Sequence, residues 1–102
     1  ASRPPRMTIV ILPSAREDLA AGFAFYEKQE AGLGSYFLES LFSDIDSLRL
    51  YAGIHRNVFG FHRLLSKRFP YAIYYAVERE VVRVRAVLDC RRDPARLRGR
   101  LK

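Results

Sequence analysis

The sequence predicts an α+β fold with the element order β-α-α-β-β-β, in which an antiparallel pair of helices packs on one sheet. Two observations predict it: apolar residues recur at helical spacing in the first half of the chain and alternate in the second half. With 102 residues, of which 49% are apolar, the chain is long enough for one domain with a core. We expect that domain over residues 7–97, after a leader or cloning segment (1–6) and before a basic tail (98–102).

The N-terminal strand is predicted at Thr8–Leu12, a β-branched run that Pro13 ends. Ser14 has the position of a helix N-cap, and Glu17, three residues later, completes a capping box. A first helix is therefore predicted over residues 15–29. Its apolar stripe consists of Leu19, Phe23 and Tyr26.

A second helix is predicted over residues 35–51, after the link Gly32–Gly34. So short a link makes the two helices antiparallel. We interpret Gly22 in the first helix as a mark of close packing between helices, and Gly53 as a C-cap. The apolar stripe of the second helix is Phe37 or Leu38, Leu41, Ile45, Leu48 and Ala52, and the acids off this stripe are Glu39, Asp44 and Asp46.

A three-stranded antiparallel meander is predicted over residues 61–67, 69–77 and 81–88, with residues 78–80 as a tight turn. Alternation in the last strand divides its side chains between the two faces of the sheet. One face carries Val82, Val84, Ala86 and Leu88, and the other carries Arg83 and Arg85 with Val81 and Val87.

Beyond the last strand, a short helix is predicted to begin at Pro94, with Asp93 as its cap. Because few apolar residues follow, we expect this segment to be mobile unless it is bound. No apolar run reaches the roughly 18 residues of a membrane span. Because the segment before Met7 is polar, we do not expect it to be a signal peptide. The single Cys90 excludes a disulfide framework within the chain and is typical of the reducing cytoplasm.

Charge is distributed unevenly along the chain, whose formal net charge is +7. Residues 14–46 contain two bases and seven acids, whereas residues 47–90 contain eight bases and three acids. The segment after Cys90 adds six bases and one acid. This asymmetry favours an anionic partner, either nucleic acid or an acidic protein, over a merely solubilising charge distribution.

Standard catalytic and metal-binding patterns do not occur in the sequence. His55 and His62 have no matching third ligand, so we interpret them as ordinary surface or packing residues and expect no metal and no cofactor. The chain has no phosphate-binding glycine loop and no serine elbow. Glu17 and Asp18 are explained by favourable electrostatics at the start of the first helix.

A basic, partly aromatic sheet surface is the remaining candidate site. Guanidinium groups bind phosphate or carboxylate in a forked geometry, and aromatic rings stack on bases. The candidate binding residues are Arg63, Lys67, Tyr74, Arg83, Arg85, Arg91 and Arg92. Such a group could also cleave RNA if arginines stabilised the phosphorane charge and a Tyr, Lys or His moved the proton. The alternative is that these arginines only keep one sheet face solvated.

Three segments resemble the RelE/ParE superfamily of toxins, often described as plasmid stabilisation proteins. They are the block from Lys67 to Tyr75, which contains Phe-Pro-Tyr, the run Val81–Val84, and Arg91-Arg92-Asp93-Pro94. The early Pro13-Ser14-Ala15-Arg16-Glu17-Asp18-Leu19 and the link Gly32–Gly34 follow the same pattern. The resemblance extends from Met7 to about Leu97.

The resemblance implies the toxin of a type II toxin–antitoxin system, which arrests growth and forms a hetero-oligomer with an acidic antitoxin. RelE-like members cut messenger RNA on the ribosome with basic sheet residues and a Tyr or His near the C-terminus, whereas ParE-like members poison DNA gyrase. Here no Tyr or His follows Tyr75, and Asp89 stands where relatives often have His. We therefore expect a gyrase-directed toxin that is not an enzyme. The alternatives are a ribosome-dependent mRNA endoribonuclease, with Arg63, Lys67, Arg83 and Arg85 as its catalytic candidates, and an inactive binding module.

Overall fold

The structure is a computed structural model that describes residues 7–92 and 94–101. The predicted leader (1–6), the predicted helix cap Asp93 and the last residue of the basic tail, Lys102, lie outside the described residues. The elements are β1 (Thr8–Ile11), α1 (Pro13–Gln29), α2 (Leu33–Asp46), α3 (Leu48–Tyr51), β2 (Asn57–Val58), β3 (Phe61–Leu65), β4 (Tyr71–Glu78), β5 (Val81–Asp89) and α4 (Pro94–Arg100).

The strands form one five-stranded sheet in the order β1-β5-β4-β3-β2. β3, β4 and β5 make the predicted antiparallel meander, and the helical hairpin returns the chain so that β1 pairs with β5 in parallel. The predicted fold class is therefore confirmed. β2, an edge strand of only two residues that is antiparallel to β3, was not predicted from the sequence.

The helical hairpin packs on one face of the sheet and forms the main core. Its buried members are Ala15, Leu19, Tyr26, Phe37, Leu41, Ile45, Leu48, Tyr71, Ile73, Tyr75, Val82, Val84 and Val87. The close packing predicted at Gly22 is confirmed, because a Cβ added there would lie 2.4 Å from the ring of Phe37 in α2. Among the described residues, no helix is long and apolar enough to cross a bilayer.

The helix ends differ from the predicted capping. α1 begins at Pro13, and its N-cap is Leu12, with no side-chain cap. The predicted capping box at Ser14 is wrong because this hydroxyl lies within the first turn and donates instead to the backbone oxygen of Arg85, at 2.8 Å. The second helix is divided at Ser47, whose hydroxyl donates to the backbone oxygen of Asp44 at 2.6 Å. The chain leaves α3 through Gly53, which has the left-handed φ of +94° expected of a C-terminal glycine.

A β-bulge changes the predicted alternation of β5. Tyr74 pairs with Ala86 and Tyr75 pairs with Val84, so Arg85 is the extra residue. Beyond the bulge, the side chains of β5 lie on the opposite sheet face from the one that simple alternation predicts. Val87 is buried under the helical hairpin rather than beside the arginines, whereas Ala86 lies on the opposite face with Tyr74.

This opposite sheet face carries α4, so the prediction of an unanchored C-terminal segment is wrong. Leu97 and the 4% exposed Leu101 pack on a small apolar cluster there. The cluster consists of Ala72, Tyr74 and Ala86, with Val58, Phe61 and Leu88 packed against it. Because the bulge turns Ala86 to this face, it helps to form the apolar surface that holds α4. The packing of α4 on the sheet therefore could not be predicted from the apolar residues of α4 alone.

Candidate functional site

A groove of about 610 Å³ is lined by residues of α1, β3, β4, β5 and α4. We call it the basic groove because four arginines line it. They are Arg63 from β3, Arg92 from the segment after β5, and Arg96 and Arg100 from α4. The acidic side chains in its wall are Asp18 and Asp89, and its other polar groups include Tyr74 and Cys90.

Arg63 and Tyr74 are directly opposite each other on β3 and β4. Burial raises the pKa of Tyr74, and a hydrogen bond from Arg63 partly opposes this rise. Because Tyr74 is only 3% exposed and packs under α4, its ring is not available for stacking on a base. The structure thus brings two of the predicted binding residues together, with Arg63 at the surface and Tyr74 as its buried support.

Arg91 and Arg92 follow β5 but have different environments. The carboxylate of Asp89 accepts hydrogen bonds from Arg91 Nε at 2.9 Å, Arg91 Nη2 at 2.7 Å and the Arg91 backbone nitrogen at 2.8 Å. These hydrogen bonds lower the pKa of Asp89 and raise that of Arg91. Asp89 is therefore ionised and largely neutralised by its neighbour, whereas exposed Arg92 lines the basic groove.

The other three predicted binding residues do not line this groove. Arg83 is exposed, and its Nε lies 3.9 Å from a carboxylate oxygen of Glu78. Arg85, at the bulge, is only partly exposed, with Nη1 3.5 Å from the hydroxyl of Ser14 in α1. Lys67 lies two residues beyond the end of β3, and its backbone nitrogen is 3.4 Å from the carboxylate of Asp44. The predicted basic face is thus divided among several places on the molecule.

Asp18, Arg96 and Arg100 belong to the groove but were not predicted as site residues. Asp18 accepts hydrogen bonds from both terminal nitrogens of Arg100 and from the backbone nitrogen of Val87, at 2.8–3.0 Å. Electrostatics at the start of α1 therefore do not explain Asp18 fully, contrary to the sequence-based interpretation. No local pattern could have indicated the Asp18–Arg100 pair, because 82 positions separate its members.

A second groove, of about 560 Å³, lies on the helical hairpin between α1 and α2. We call it the helix groove. It is lined by Ile11, Leu19, Ala20, Phe23, Leu38 and Phe42, with Arg16 as its charged residue. Phe42 is 45% exposed, so part of its ring is open to solvent at this groove. The helix groove can accept the apolar side of a partner segment.

The basic groove is better suited to binding anions than to moving protons. Burial raises the pKa of Cys90 and that of Tyr74, and it raises the pKa of Tyr71 to about 12. Hydrogen bonds from Arg91 lower the pKa of Asp89. None of these four groups changes its protonation near neutral pH, where a general acid or base works best. No cluster of three or more potential metal ligands occurs in the part of the chain that the structure describes.

Comparisons with known proteins support the fold. No protein-family model and no curated protein matches the sequence. A search of solved structures finds a chain from "Chromosomal ParDE TA system from P. aeruginosa", where TA denotes toxin–antitoxin. The match has a TM-score of 0.74 and 18% identity, and it covers 82% of this chain and 96% of that chain. At this identity the likeness shows the fold alone, so this chain shares the fold of that chain of the ParDE system.

Proposed function

We propose that this protein is the toxin of a type II toxin–antitoxin pair, that it arrests growth by poisoning DNA gyrase, and that a cognate acidic antitoxin neutralises it in the cytoplasm. The observation that carries the proposal is the RelE/ParE-like fold combined with a groove that four arginines line, in which Tyr71, Tyr74, Asp89 and Cys90 do not change protonation near neutral pH.

Two surfaces support neutralisation by an acidic partner segment. The helix groove offers apolar side chains to one side of an amphipathic helix, and the basic groove offers arginines to its carboxylates. A segment that is disordered when free could reach both surfaces, with opposite charge guiding its approach. A small acidic protein encoded directly beside this chain is therefore expected.

The site geometry favours a gyrase-directed toxin over an mRNA endoribonuclease. The four catalytic candidates of the nuclease alternative do not converge. Arg63 lies in the basic groove, and Lys67 follows β3 near Asp44. Arg83 is beside Glu78, and Arg85 is beside Ser14. Tyr74, the tyrosine in contact with Arg63, keeps its proton because burial raises its pKa. A general base for RNA cleavage would have to lose that proton.

The test measures supercoiling by purified gyrase with increasing amounts of the folded protein. We expect inhibition or accumulation of cleaved DNA, and we expect charge reversal in the groove (Arg63→Glu with Arg96→Glu) to weaken it. Arg68→Glu is the matched control, because Arg68 is exposed and does not line the groove. Circular dichroism must show that each variant is folded.

Two further assays, of mRNA cleavage on ribosomes and of growth on induction, distinguish the other functions. Absence of any effect on gyrase at excess folded protein would contradict the proposed target. Cleavage of translated messages on purified ribosomes would instead identify the endoribonuclease, and normal growth on induction, with folded protein present, would identify a binding module.

A further inference from the structure

Two histidines pack on the buried ring of Tyr75 and connect it to the segment after α3. The ring of His62 stacks on Tyr75 with centroids 5.1 Å apart, and the ring of His55 meets it edge-on at 5.6 Å. The Tyr75 hydroxyl accepts a hydrogen bond from the backbone nitrogen of Gly53 at 3.0 Å and contacts Nδ1 of His55. Nδ1 of His62 is 2.8 Å from the backbone oxygen of His55.

Donor and acceptor requirements fix the protonation of this cluster. The Tyr75 hydroxyl accepts backbone hydrogen bonds from both Gly53 and His55, which occupy its two lone pairs. Its proton is therefore donated to Nδ1 of His55, and His55 is neutral with its proton on Nε2. The backbone oxygen of His55 can only accept, so His62 carries a proton on Nδ1. Each hydrogen bond of the cluster therefore has one donor and one acceptor when His55 is neutral.

Protonation of His55 disrupts this arrangement. Nδ1–H of His55 and the hydroxyl proton of Tyr75 would then point at each other, and Tyr75 is completely buried. Burial and the neighbouring His62 both lower the pKa of His55 below its ordinary value of 6.5.

The charged groups on the surrounding elements do not compensate a charge on His55. On β3, Arg63 lies on the other sheet face against Tyr74, and on α3, Arg49 pairs with Asp46 at 2.7 Å. Arg56, beside His55 in the same segment, is exposed and positive. Among the described residues, no carboxylate contributes to the pKa shift of His55.

The segment that this cluster holds, residues 53–60, also supports α4 on the other side of the sheet. Val58 packs against the apolar cluster that includes Leu101. The guanidinium of Arg98 lies 5.6 Å from the ring centroid of Phe59. A change at His55 can therefore reach α4, whose residues line the basic groove.

We propose that His55, His62 and Tyr75 form an acid-sensitive clasp, in which protonation of His55 releases residues 53–60 from the sheet and loosens their contact with α4. The clasp does not depend on the proposed function, because it concerns only the stability of this segment. If opening restores the ordinary pKa of His55, the opening equilibrium rises about tenfold for each pH unit between 6.5 and the lowered pKa.

The test combines nuclear magnetic resonance titration of the histidines with amide hydrogen exchange between about pH 7.5 and about pH 5.0. Exchange rates are corrected for their intrinsic pH dependence, and the amides of β4 serve as the internal reference. We expect His55 to titrate below 6.5, and we expect amides of residues 53–60 to lose protection relative to the amides of β4 on acidification.

Two variants separate the clasp from a general effect of acid. His55→Gln keeps an acceptor for the Tyr75 hydroxyl but takes up no proton, so its segment should stay protected over the same pH range. His62→Phe keeps a ring on Tyr75 and removes the electrostatic effect of His62 that lowers the pKa of His55, so this pKa should move toward 6.5. Titration of His55 at or above 6.5 in the unaltered protein, or unchanged protection of residues 53–60, would overturn the proposal even if a variant failed to fold.

Discussion

Arg100 of α4 donates hydrogen bonds to both carboxylate oxygens of Asp18 in α1, at 2.9 and 2.8 Å. The same carboxylate accepts from the backbone nitrogen of Val87 at 3.0 Å. The side chain of Asp18 thus connects the helical hairpin, the last strand and the C-terminal helix. The pair also forms part of the wall of the basic groove.

Replacement of Asp18 by Asn should lower the free energy of unfolding by about 1 kcal/mol. The forked ion pair and its hydrogen bonds are lost, but the Arg100 side chain is 38% exposed, so water already screens part of the attraction. Urea unfolding measures the change. Asp46→Asn is the control, since Asp46 pairs with Arg49 while 70% exposed, and a change within about 0.5 kcal/mol is expected there. Equal losses in the two variants would contradict the assigned role of Asp18.

The sequence predicted those parts of the fold that depend on local patterns. Alternation placed β3, β4 and β5 to within a few residues, and helical spacing identified the face of α2 that carries Phe37 and Leu41. Alternation assigned the side chains of β5 to the wrong faces beyond Val84. The reason is that a bulge at Arg85 depends on the register with the neighbouring strand rather than on the residues of β5 alone.

The candidate site was less predictable than the fold for the same reason. Arg63 and Arg92 were predicted, but Arg96 and Arg100 were assigned to a mobile tail, because the apolar surface beneath α4 becomes evident only from the strand pairing. His55 and His62 were interpreted as ordinary surface or packing residues, and their common contact with Tyr75 required the loop to fold back on the sheet.

Replacement of Gly22 by Ala should destabilise the protein by about 1–3 kcal/mol, although alanine favours helix. The added Cβ would lie 2.4 and 2.5 Å from ring atoms of Phe37, which is completely buried and has no room to move away. Thermal and urea unfolding measure the loss. Gly99→Ala in α4 is the matched control, because nothing lies within 4 Å of its added Cβ, and a gain of about 0.5–1 kcal/mol is expected. A gain in both variants would show that the hairpin has more space than the structure indicates.

The Asp89–Arg91 interaction should make stability depend on pH in the acid range. Hydrogen bonds from Arg91 hold the pKa of Asp89 below its ordinary value of 3.8. Its contribution is therefore fully present above pH 3.8 and is lost as the pH falls through the lowered pKa. Compared with the unaltered protein, Asp89→Asn should be less stable at neutral pH, and the difference should shrink below pH 3.8.

Thermal unfolding at a series of pH values measures this difference. Glu39→Gln, which removes an exposed carboxylate of α2, is the control and should preserve the acid dependence of the unaltered protein. A constant difference between Asp89→Asn and the unaltered protein at every pH would show that the Asp89 carboxylate is not stabilised by Arg91.

Charge reversal at Arg83 and at Arg85 should have different effects, although the sequence assigned both residues to one binding face. Arg83 is exposed and only 3.9 Å from Glu78, so Arg83→Glu should leave the free energy of unfolding within about 0.5 kcal/mol. Arg85 is partly buried beside the hydroxyl of Ser14, and a carboxylate there would be partly desolvated with no cation in place of the lost one. Arg85→Glu should therefore cost about 1–2 kcal/mol.

If Arg83 helps to bind the proposed acidic antitoxin, Arg83→Glu should weaken that binding and reduce its dependence on salt, as titration calorimetry at two salt concentrations would measure. Of these two arginines, Arg85 is the one that contacts Ser14. In a protein that already carries Ser14→Ala, the loss of stability caused by Arg85→Glu should therefore be smaller, whereas the effect of Arg83→Glu should be unchanged. Equal stability losses at the two arginines would contradict the separation of Arg85 from the exposed basic surface.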